Sequence, residues 1–197
     1  MGKIFYIMGK SASGKDTVYK RLLRDMPDLK TVIIYTTRPA RDGERDGVEY
    51  YFTSEEKKRE WENTGRIIES RTYHTIYGPW TYFTVDDGQF DLESCNYLLI
   101  GTLESYGYVR KYFGEEKVIP IYIYVEDGIR LSRALERERF QKHPRYAEMC
   151  RRFLADEEDF KEENLKLHGI HVCYENICLE NCLKEIENMI KNSEMSK

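Results

Sequence analysis

The fold of this chain follows from one short sequence, Gly9-Lys10-Ser11-Ala12-Ser13-Gly14-Lys15, which fits the pattern GxxxxGK. The apolar run Ile4–Met8 precedes it as a predicted buried strand, and residues 16–25 follow with the apolar spacing of a helix. A glycine-rich loop in this position can wrap a phosphate with its backbone N–H groups, and the helix points its positive end at the anion. Lys15 adds a point charge for the phosphate oxygens. We therefore predict a nucleotide-phosphate site; the alternative is a glycine-rich turn with a solvated lysine.

The residue after that lysine departs from the usual pattern, because Asp16 stands where Ser or Thr usually binds Mg²⁺. A carboxylate is also a hard oxygen ligand, so Asp16 is a candidate metal ligand. Alternatively, Asp16 only caps the helix and Thr17 takes over the hydroxyl role. The residues themselves leave both readings open.

Composition narrows the class of protein. A chain of 197 residues is expected to form one domain, and a net charge of −4 argues against a strongly basic nucleic-acid binder. No stretch approaches the roughly 18 apolar residues that span a membrane. The five cysteines are odd in number and form no CxxC pair, which fits a reduced, cytoplasmic protein. We expect neither nucleic acid nor a membrane as a partner.

Strand-like and helical patterns alternate along the chain, which predicts an α/β fold with a parallel sheet. Further strands are predicted at residues 31–35, 97–100, 118–125 and 170–174. Further helices are predicted at residues 104–113, 129–140, 146–167 and 179–190, with a frayed tail from residue 192. Residues 35–84 break the rhythm with several short strands and little helix, which indicates an inserted subdomain.

A second basic cluster lies in that inserted segment. Arg38 and Arg41 stand three residues apart, and Tyr50 lies on the next predicted strand. Arginine forms forked hydrogen bonds to phosphate oxygens, and a tyrosine hydroxyl adds a neutral donor. By itself the cluster could be a solvated loop with surface salt bridges. Together with the upstream loop, it suggests phosphoryl transfer between nucleotides.

At these residues the sequence resembles guanylate kinase. The shared pattern is Thr-Thr-Arg at 36–38, then Arg41, Gly-Glu at 43–44, GxxYxF at 47–52, Ile-Glu at 68–69 and Tyr-Gly at 77–78. The resemblance implies a P-loop NTPase fold: a three-layer core with a parallel sheet, a small mixed β insertion for the nucleoside monophosphate, and a helical lid. The implied parts are a core (1–34, 85–128 and 157–197), the insertion (35–84) and the lid (129–156).

The resemblance also assigns expected site residues. For ATP they are Gly9, Ser11, Ala12, Ser13, Gly14, Lys15, Asp16, Thr17 and Asn176. For the acceptor GMP they are Arg38, Arg41, Tyr50, Glu69, Tyr77 and Glu104. Glu69 would accept hydrogen bonds from the guanine N1–H and 2-amino group, a donor pair that adenine lacks. For Tyr50 and Tyr77 the alternative role is core packing.

Lys15, Arg137 and Arg152 are the expected catalytic residues. In the family, arginines on both sides of the lid turn close over the transferred phosphoryl group. Arg152 matches the position after the turn, whereas Arg133, Arg137 and Arg139 each fit the position before it. Several of these arginines could instead pair with glutamates on helix faces, where ion pairs contribute little to stability.

Three positions on the guanine side depart from the family pattern. Ile34 and Pro79 stand where the family has hydroxyl side chains, and Glu104 stands near an expected aspartate. A neutral hydrogen bond contributes about 0.5–1.5 kcal/mol, so the departures predict weaker binding of the base. These three departures bear on which base is bound more than on which type of reaction is catalysed.

The activity implied by the resemblance is the reversible, ATP-dependent phosphorylation of GMP or dGMP to the diphosphate, with Mg²⁺ as cofactor. The expected partners are ATP and a nucleoside monophosphate, and the expected state is a monomer or a weak homodimer. The alternatives are a kinase for another monophosphate and a non-catalytic guanylate-kinase-like module that docks a phosphorylated peptide. The retained Gly14-Lys15 favours the kinase.

Overall fold

The structure is a computed structural model that describes residues 2–41, 43–75 and 78–195. The strands are β1 (Ile4–Met8), β2 (Tyr35–Thr36), β3 (Tyr51–Phe52), β4 (Ile67–Thr75), β5 (Gly78–Val85), β6 (Tyr97–Ile100), β7 (Val118–Tyr124) and β8 (Cys173–Glu175). The helices are α1 (Lys15–Asp25), α2 (Glu55–Asn63), α3 (Leu103–Phe113), α4 (Asp127–Arg139), α5 (Tyr146–Asp159), α6 (Glu162–Leu167) and α7 (Leu179–Met195).

The core is a parallel sheet in the order β6-β1-β7-β8. Successive residues of β1 face opposite sides, as the pleat of a strand requires. Phe5 and Ile7 pack in one cluster with residues of α1 and α7, and Ile4 and Tyr6 pack in another with residues of α3. Helices thus cover both faces of the sheet, which confirms the predicted α/β fold with a three-layer core.

A second four-stranded sheet has the order β3-β2-β5-β4 and consists of residues from 35 to 85. It is mixed, because β2 and β3 run parallel while β2–β5 and β4–β5 are antiparallel. On one face the register places Glu69 opposite Thr84 and Arg71 opposite Tyr82. Side chains of directly paired residues lie on the same side of a sheet, so these four share a surface.

Several predicted elements differ from the structure, and the strand predicted at 170–174 begins only at Cys173. The strand predicted at 31–35 is wrong for residues 31–34 and holds only at Tyr35, which begins β2. Lys30 makes an isolated bridge to β6, and the Gln89 side chain, rather than a neighbouring strand, bonds the backbone of Ile33. The predicted helix 146–167 is broken between α5 and α6 at Phe160 and Lys161. The tail predicted to fray from residue 192 continues α7 to Met195.

Within the described ranges, no helix combines the length and the apolar composition needed to cross a membrane.

Candidate active site

The loop between β1 and α1 has the conformation that its glycines predict. Gly14 has a φ of 84° and Ala12 a φ of 62°, both in the left-handed region. Gly9 has no room for a side chain, since a Cβ there would lie 2.6 Å from the carbonyl oxygen of Ile123. Within residues 2–41, 43–75 and 78–195, no group accepts a hydrogen bond from the amides of Gly14, Lys15 or Asp16. Free amides at a helix N-terminus form an anion-binding site.

Asn176 packs against this loop and donates a hydrogen bond to its backbone. It is buried, and its Nδ2 donates to the carbonyl oxygen of Ser13 at 2.8 Å. A Cβ at Gly14 would collide with the same amide nitrogen, so the loop and Asn176 fit closely. The Ser13 hydroxyl is fully buried and has no partner among the described residues. Because an unpaired buried hydroxyl is costly, its place in the loop suits a site that gains a polar ligand.

Lys15, Asp16 and Thr17 begin α1 beside the loop. Lys15 Nζ lies 3.6 Å from Asp16 Oδ2, and the Asp16 side chain is 77% exposed. No group of three or more His, Cys, Asp or Glu side chains that could hold a metal occurs within the described part of the chain. A nucleotide-bound Mg²⁺ usually takes few protein ligands and several phosphate or water oxygens. The open Asp16 carboxylate and the Thr17 hydroxyl therefore fit such an ion.

A charged cluster ties the loop to the lid helices. Arg130 on α4 is only 1% exposed, and its guanidinium donates to Asp127 and to Glu157, each at 2.7 Å. It also donates to the Ser11 carbonyl at 3.0 Å and stacks on the Phe153 ring at 4.6 Å. Arg130 does not stand out in the sequence, because nothing in this row of arginines marks the one that turns inward.

The same cluster reaches the loop through two further contacts. Lys10 Nζ bonds Glu157 at 2.7 Å, and the Ser11 amide donates to Asp156 Oδ2 at 2.7 Å. Residues of α5 thereby hold the beginning of the phosphate loop. The lid and the loop are one connected unit in this structure.

Two of the predicted catalytic residues meet the loop in one small cavity. Arg137 on α4, Arg152 on α5 and Ser11 all line a cavity of about 100 Å³. Arg152 also donates to Glu148 at 2.9 Å, and Arg151 and Arg152 together lower the pKa of Glu148 to about 2. Arg133 is engaged elsewhere, since it donates to the Asn176 carbonyl at 3.0 Å. Of the three arginines before the lid turn, Arg137 is the one that lines this cavity.

Arg38 belongs to a buried polar cluster rather than to a solvated loop. It is 3% exposed, and its Nη atoms bond both oxygens of Glu44 at 2.6 and 2.7 Å. Its Nε donates to Tyr82 Oη at 3.0 Å, and its Cζ lies 4.9 Å from the Tyr50 ring centre. Arg41 is exposed and donates its amide to Glu44 at 2.8 Å. The structure thus brings Arg38, Arg41 and Tyr50 together around Glu44, while Tyr77 lies outside the described residues.

The Arg38–Glu44 pair makes the stability of the chain depend on acidic pH. The Arg38 guanidinium, followed by the Arg41 amide, lowers the pKa of Glu44 to about 2. A depressed pKa stabilises the fold above the unfolded value of about 4.3, and this stabilisation is lost as the pH falls from there to about 2. The melting temperature of wild type should therefore exceed that of Glu44→Gln at pH 6, and the gap should close by pH 2.

This prediction is checked by thermal melts of both proteins between pH 6 and pH 2. All other carboxylates, including Glu148, are common to both proteins, so their titration cancels in the difference. A gap that stays constant across this range would contradict the role assigned to the pair.

Glu69 is buried at the inner end of β4 and is already surrounded by donors. Its Oε1 accepts from the Thr84 hydroxyl at 2.8 Å, and its Oε2 accepts from the Ser105 hydroxyl at 3.1 Å and from Arg71 Nε at 3.2 Å. The hydroxyl partners Thr84 and Ser105 are distant in the sequence and cannot be predicted from it. Only the proximity of Arg71, two residues along the same strand, could have been read from the sequence.

Glu104 lines a large cavity of about 940 Å³ between β4, α3 and α6, and Arg71 and Tyr73 border it from the opposite side. Pro79 is exposed on β5 opposite His74, and Ile34 is half-buried. Neither residue can donate the side-chain hydrogen bond expected of a hydroxyl at its position.

Comparison with known proteins places these features in a family context. The family model for guanylate kinase matches residues 1–83. Guanylate kinase of Desulfotalea psychrophila is 40% identical over 76 residues, 39% of this chain and 37% of that protein. Guanylate kinase of Helicobacter hepaticus is 32% identical over 116 residues, 58% of this chain and 56% of that protein. The aligned part thus spans about two fifths to just over half the length of these curated relatives.

Similarity of fold extends further than similarity of sequence. The crystal structure of guanylate kinase from Anaplasma phagocytophilum has a TM-score of 0.62 and 18% identity, over 98% of this chain and 87% of that chain. The comparisons confirm the resemblance to guanylate kinase and the shared fold. The family match ends at residue 83, so the roles of the lid arginines and of Asn176 stay predictions.

Proposed function

We propose that this chain is an ATP-dependent nucleoside monophosphate kinase that converts GMP or dGMP to the diphosphate with Mg²⁺. The observation that carries the proposal is the small cavity in which Ser11 of the phosphate loop meets Arg137 and Arg152. A phosphate loop facing lid arginines can bind a triphosphate and stabilise charge on a transferred phosphoryl group. The relatives named guanylate kinase, matched over part of their length, support the same reaction class.

In this proposal the chain positions two nucleotides and excludes water. The amides of Gly14 and Lys15 bind the donor phosphates, and the Lys15 ammonium follows the charge that develops there. Arg137 and Arg152 contact the transferred phosphoryl group. A monophosphate oxygen is already a nucleophile, so no side chain has to remove a proton. Asp16 and Thr17 would hold Mg²⁺, which would supply neutralisation of charge on the donor phosphates.

The acceptor phosphate is held by the cluster around Glu44. The Arg38 guanidinium already donates from Nε to Tyr82, from the two N–H groups of Nη1 to Pro39 and Glu44, and from one N–H group of Nη2 to Glu44. Arg41, whose guanidinium is exposed, is therefore the main acceptor-phosphate contact, while Arg38 orders Glu44 and the aromatic rings beside it. Tyr50 adds a neutral hydroxyl donor.

A coupled ADP-release assay with ATP and Mg²⁺ tests the proposal. Purified protein is offered GMP, dGMP, AMP, CMP, UMP and dTMP in separate reactions. We expect turnover with GMP and dGMP, and at least tenfold less with AMP, because adenine lacks the N1–H that Glu69 would accept. If no monophosphate supported turnover, the proposed kinase activity would be overturned, and phosphopeptide binding at Arg41 would become the favoured function.

A further inference from the structure

The buried carboxylate of Glu69 has little capacity left for a ligand. A carboxylate offers about four acceptor sites, roughly two on each oxygen. Thr84 occupies one site on Oε1, while Ser105 and Arg71 occupy both on Oε2. Guanine presents two parallel donors, N1–H and the 2-amino group, which need one site on each oxygen. In this structure only Oε1 can accept another hydrogen bond.

Arg71 introduces donors into the same place. Its side chain is 19% exposed and its Nε is bonded to Glu69. The two terminal nitrogens of Arg71 donate to no group of residues 2–41, 43–75 and 78–195, and the side chain borders the 940 Å³ cavity. Burial is the largest single influence and disfavours the charged form of Arg71, but Glu69, Tyr6 and Tyr73 together outweigh it, so the pKa of Arg71 is raised. The cavity wall therefore carries a permanent donor, Arg71, and the buried Glu69 carboxylate with its one free acceptor site lies directly behind it.

This wall is continuous with the acceptor-phosphate cluster. Arg71 stands opposite Tyr82 in the sheet, and the Tyr82 hydroxyl accepts from Arg38 Nε at 3.0 Å. Tyr73, which also borders the cavity, lies 5.8 Å from the Tyr82 ring. A nucleotide with its phosphate near Arg41 can therefore extend its base toward Arg71 and Glu69.

We propose that Arg71 sets the base specificity of this site, so that it takes 6-oxopurine monophosphates by the ring N–H and the adjacent carbonyl and does not read the 2-amino group. The N1–H donates to Glu69 Oε1, and O6 accepts from a terminal nitrogen of Arg71. Guanine and hypoxanthine share this edge. Adenine reverses it, since its 6-amino group would point donors at Arg71. The inference rests on the proposed function and states which purine bases the same site accepts.

The test compares kcat/KM for GMP and for IMP, which differ only in the 2-amino group. Wild type should use both within about threefold. Arg71→Ala frees a site on Glu69 Oε2, so its GMP-to-IMP ratio should rise about tenfold or more, as expected for a hydrogen bond to a charged group. Arg66→Ala is the matched control. Arg66 lies before β4 and donates to the Asp86 carbonyl, away from Glu69, so its loss should leave the ratio unchanged.

Each result bears on one claim. A wild-type preference for GMP over IMP above about tenfold, or a ratio that Arg71→Ala does not change, would overturn the role of Arg71 and leave the kinase intact. If Arg71→Ala does not fold, calorimetric affinities of wild type for GMP and IMP decide the question, and equal values support the proposal. Neither turnover nor binding with any monophosphate would overturn the proposed function itself.

Discussion

Replacement of Lys15 by alanine is expected to reduce kcat for phosphoryl transfer by about 10³-fold, because in the proposed function the variant loses the ammonium that offsets charge on the donor phosphates. Lys15 pairs only with Asp16 in the described part of the chain, and that carboxylate is largely exposed. The fold therefore does not depend on the ion pair. A coupled ADP-release assay measures the loss, and a thermal melt should show an unchanged melting temperature.

The matched control is Lys20→Ala, which removes the same charge from an exposed position of the same helix. Its activity should equal that of wild type. If Lys15→Ala retained more than about a tenth of the wild-type kcat, the loop would not be the site of phosphoryl transfer.

Replacement of Arg130 by alanine is expected to cause the largest loss of stability, about 3 kcal/mol. Arg130 is almost fully buried, and its loss leaves Asp127, Asp156 and Glu157 with Lys10 as the remaining cation of the cluster. Breaking a buried ion pair costs about 3–5 kcal/mol, and the partial exposure of Asp127 and Glu157 places this case at the lower end. For a chain of this size the melting temperature should fall by about 6–12 °C.

Two variants separate the causes of that loss. Arg130→Met keeps most of the packing against Phe153 and removes only the charge, so it should recover part of the stability. Arg139→Ala removes an exposed arginine from the same helix and should change the melting temperature by less than about 2 °C. A loss for Arg130→Ala no larger than that for Arg139→Ala would contradict the anchoring role of the cluster.

The phosphate loop could be predicted because its determinants are local. The glycines at 9 and 14 and the strand and helix around them all lie within 22 residues of one another, from Ile4 to Asp25. The strand expected at 31–35 shows the limit of that approach. Apolar β-branched residues indicated a strand, but a distant side chain, Gln89, bonds the backbone instead. Tertiary contacts override a local preference in such cases.

The sequence indicates which residue types form the candidate site, but it says less about the side chains that surround them. The sequence predicts Arg38 and Glu69 as ligand-binding residues, yet their partners Tyr82, Thr84 and Ser105 are fixed only when separate strands and α3 come together. Those partners decide how many donors and acceptors each residue still offers. A sequence motif indicates which chemical groups are present, whereas the fold decides how many of their hydrogen-bonding sites stay available to a ligand.

The anchoring of the lid at Arg130, Asp156 and Glu157 has a mechanical consequence. Arg137 lies seven residues beyond Arg130, and Arg152 lies four residues before Asp156, which along a helix is about two turns and one turn. Both arginines thus lie within two helical turns of side chains that are bonded to the phosphate loop itself. If α4 and α5 turn about this anchor, Arg137, which is close to the end of α4 at Arg139, travels farther than Arg152. In the proposed function, an opening of this region would therefore displace Arg137 more than Arg152 from the phosphate loop.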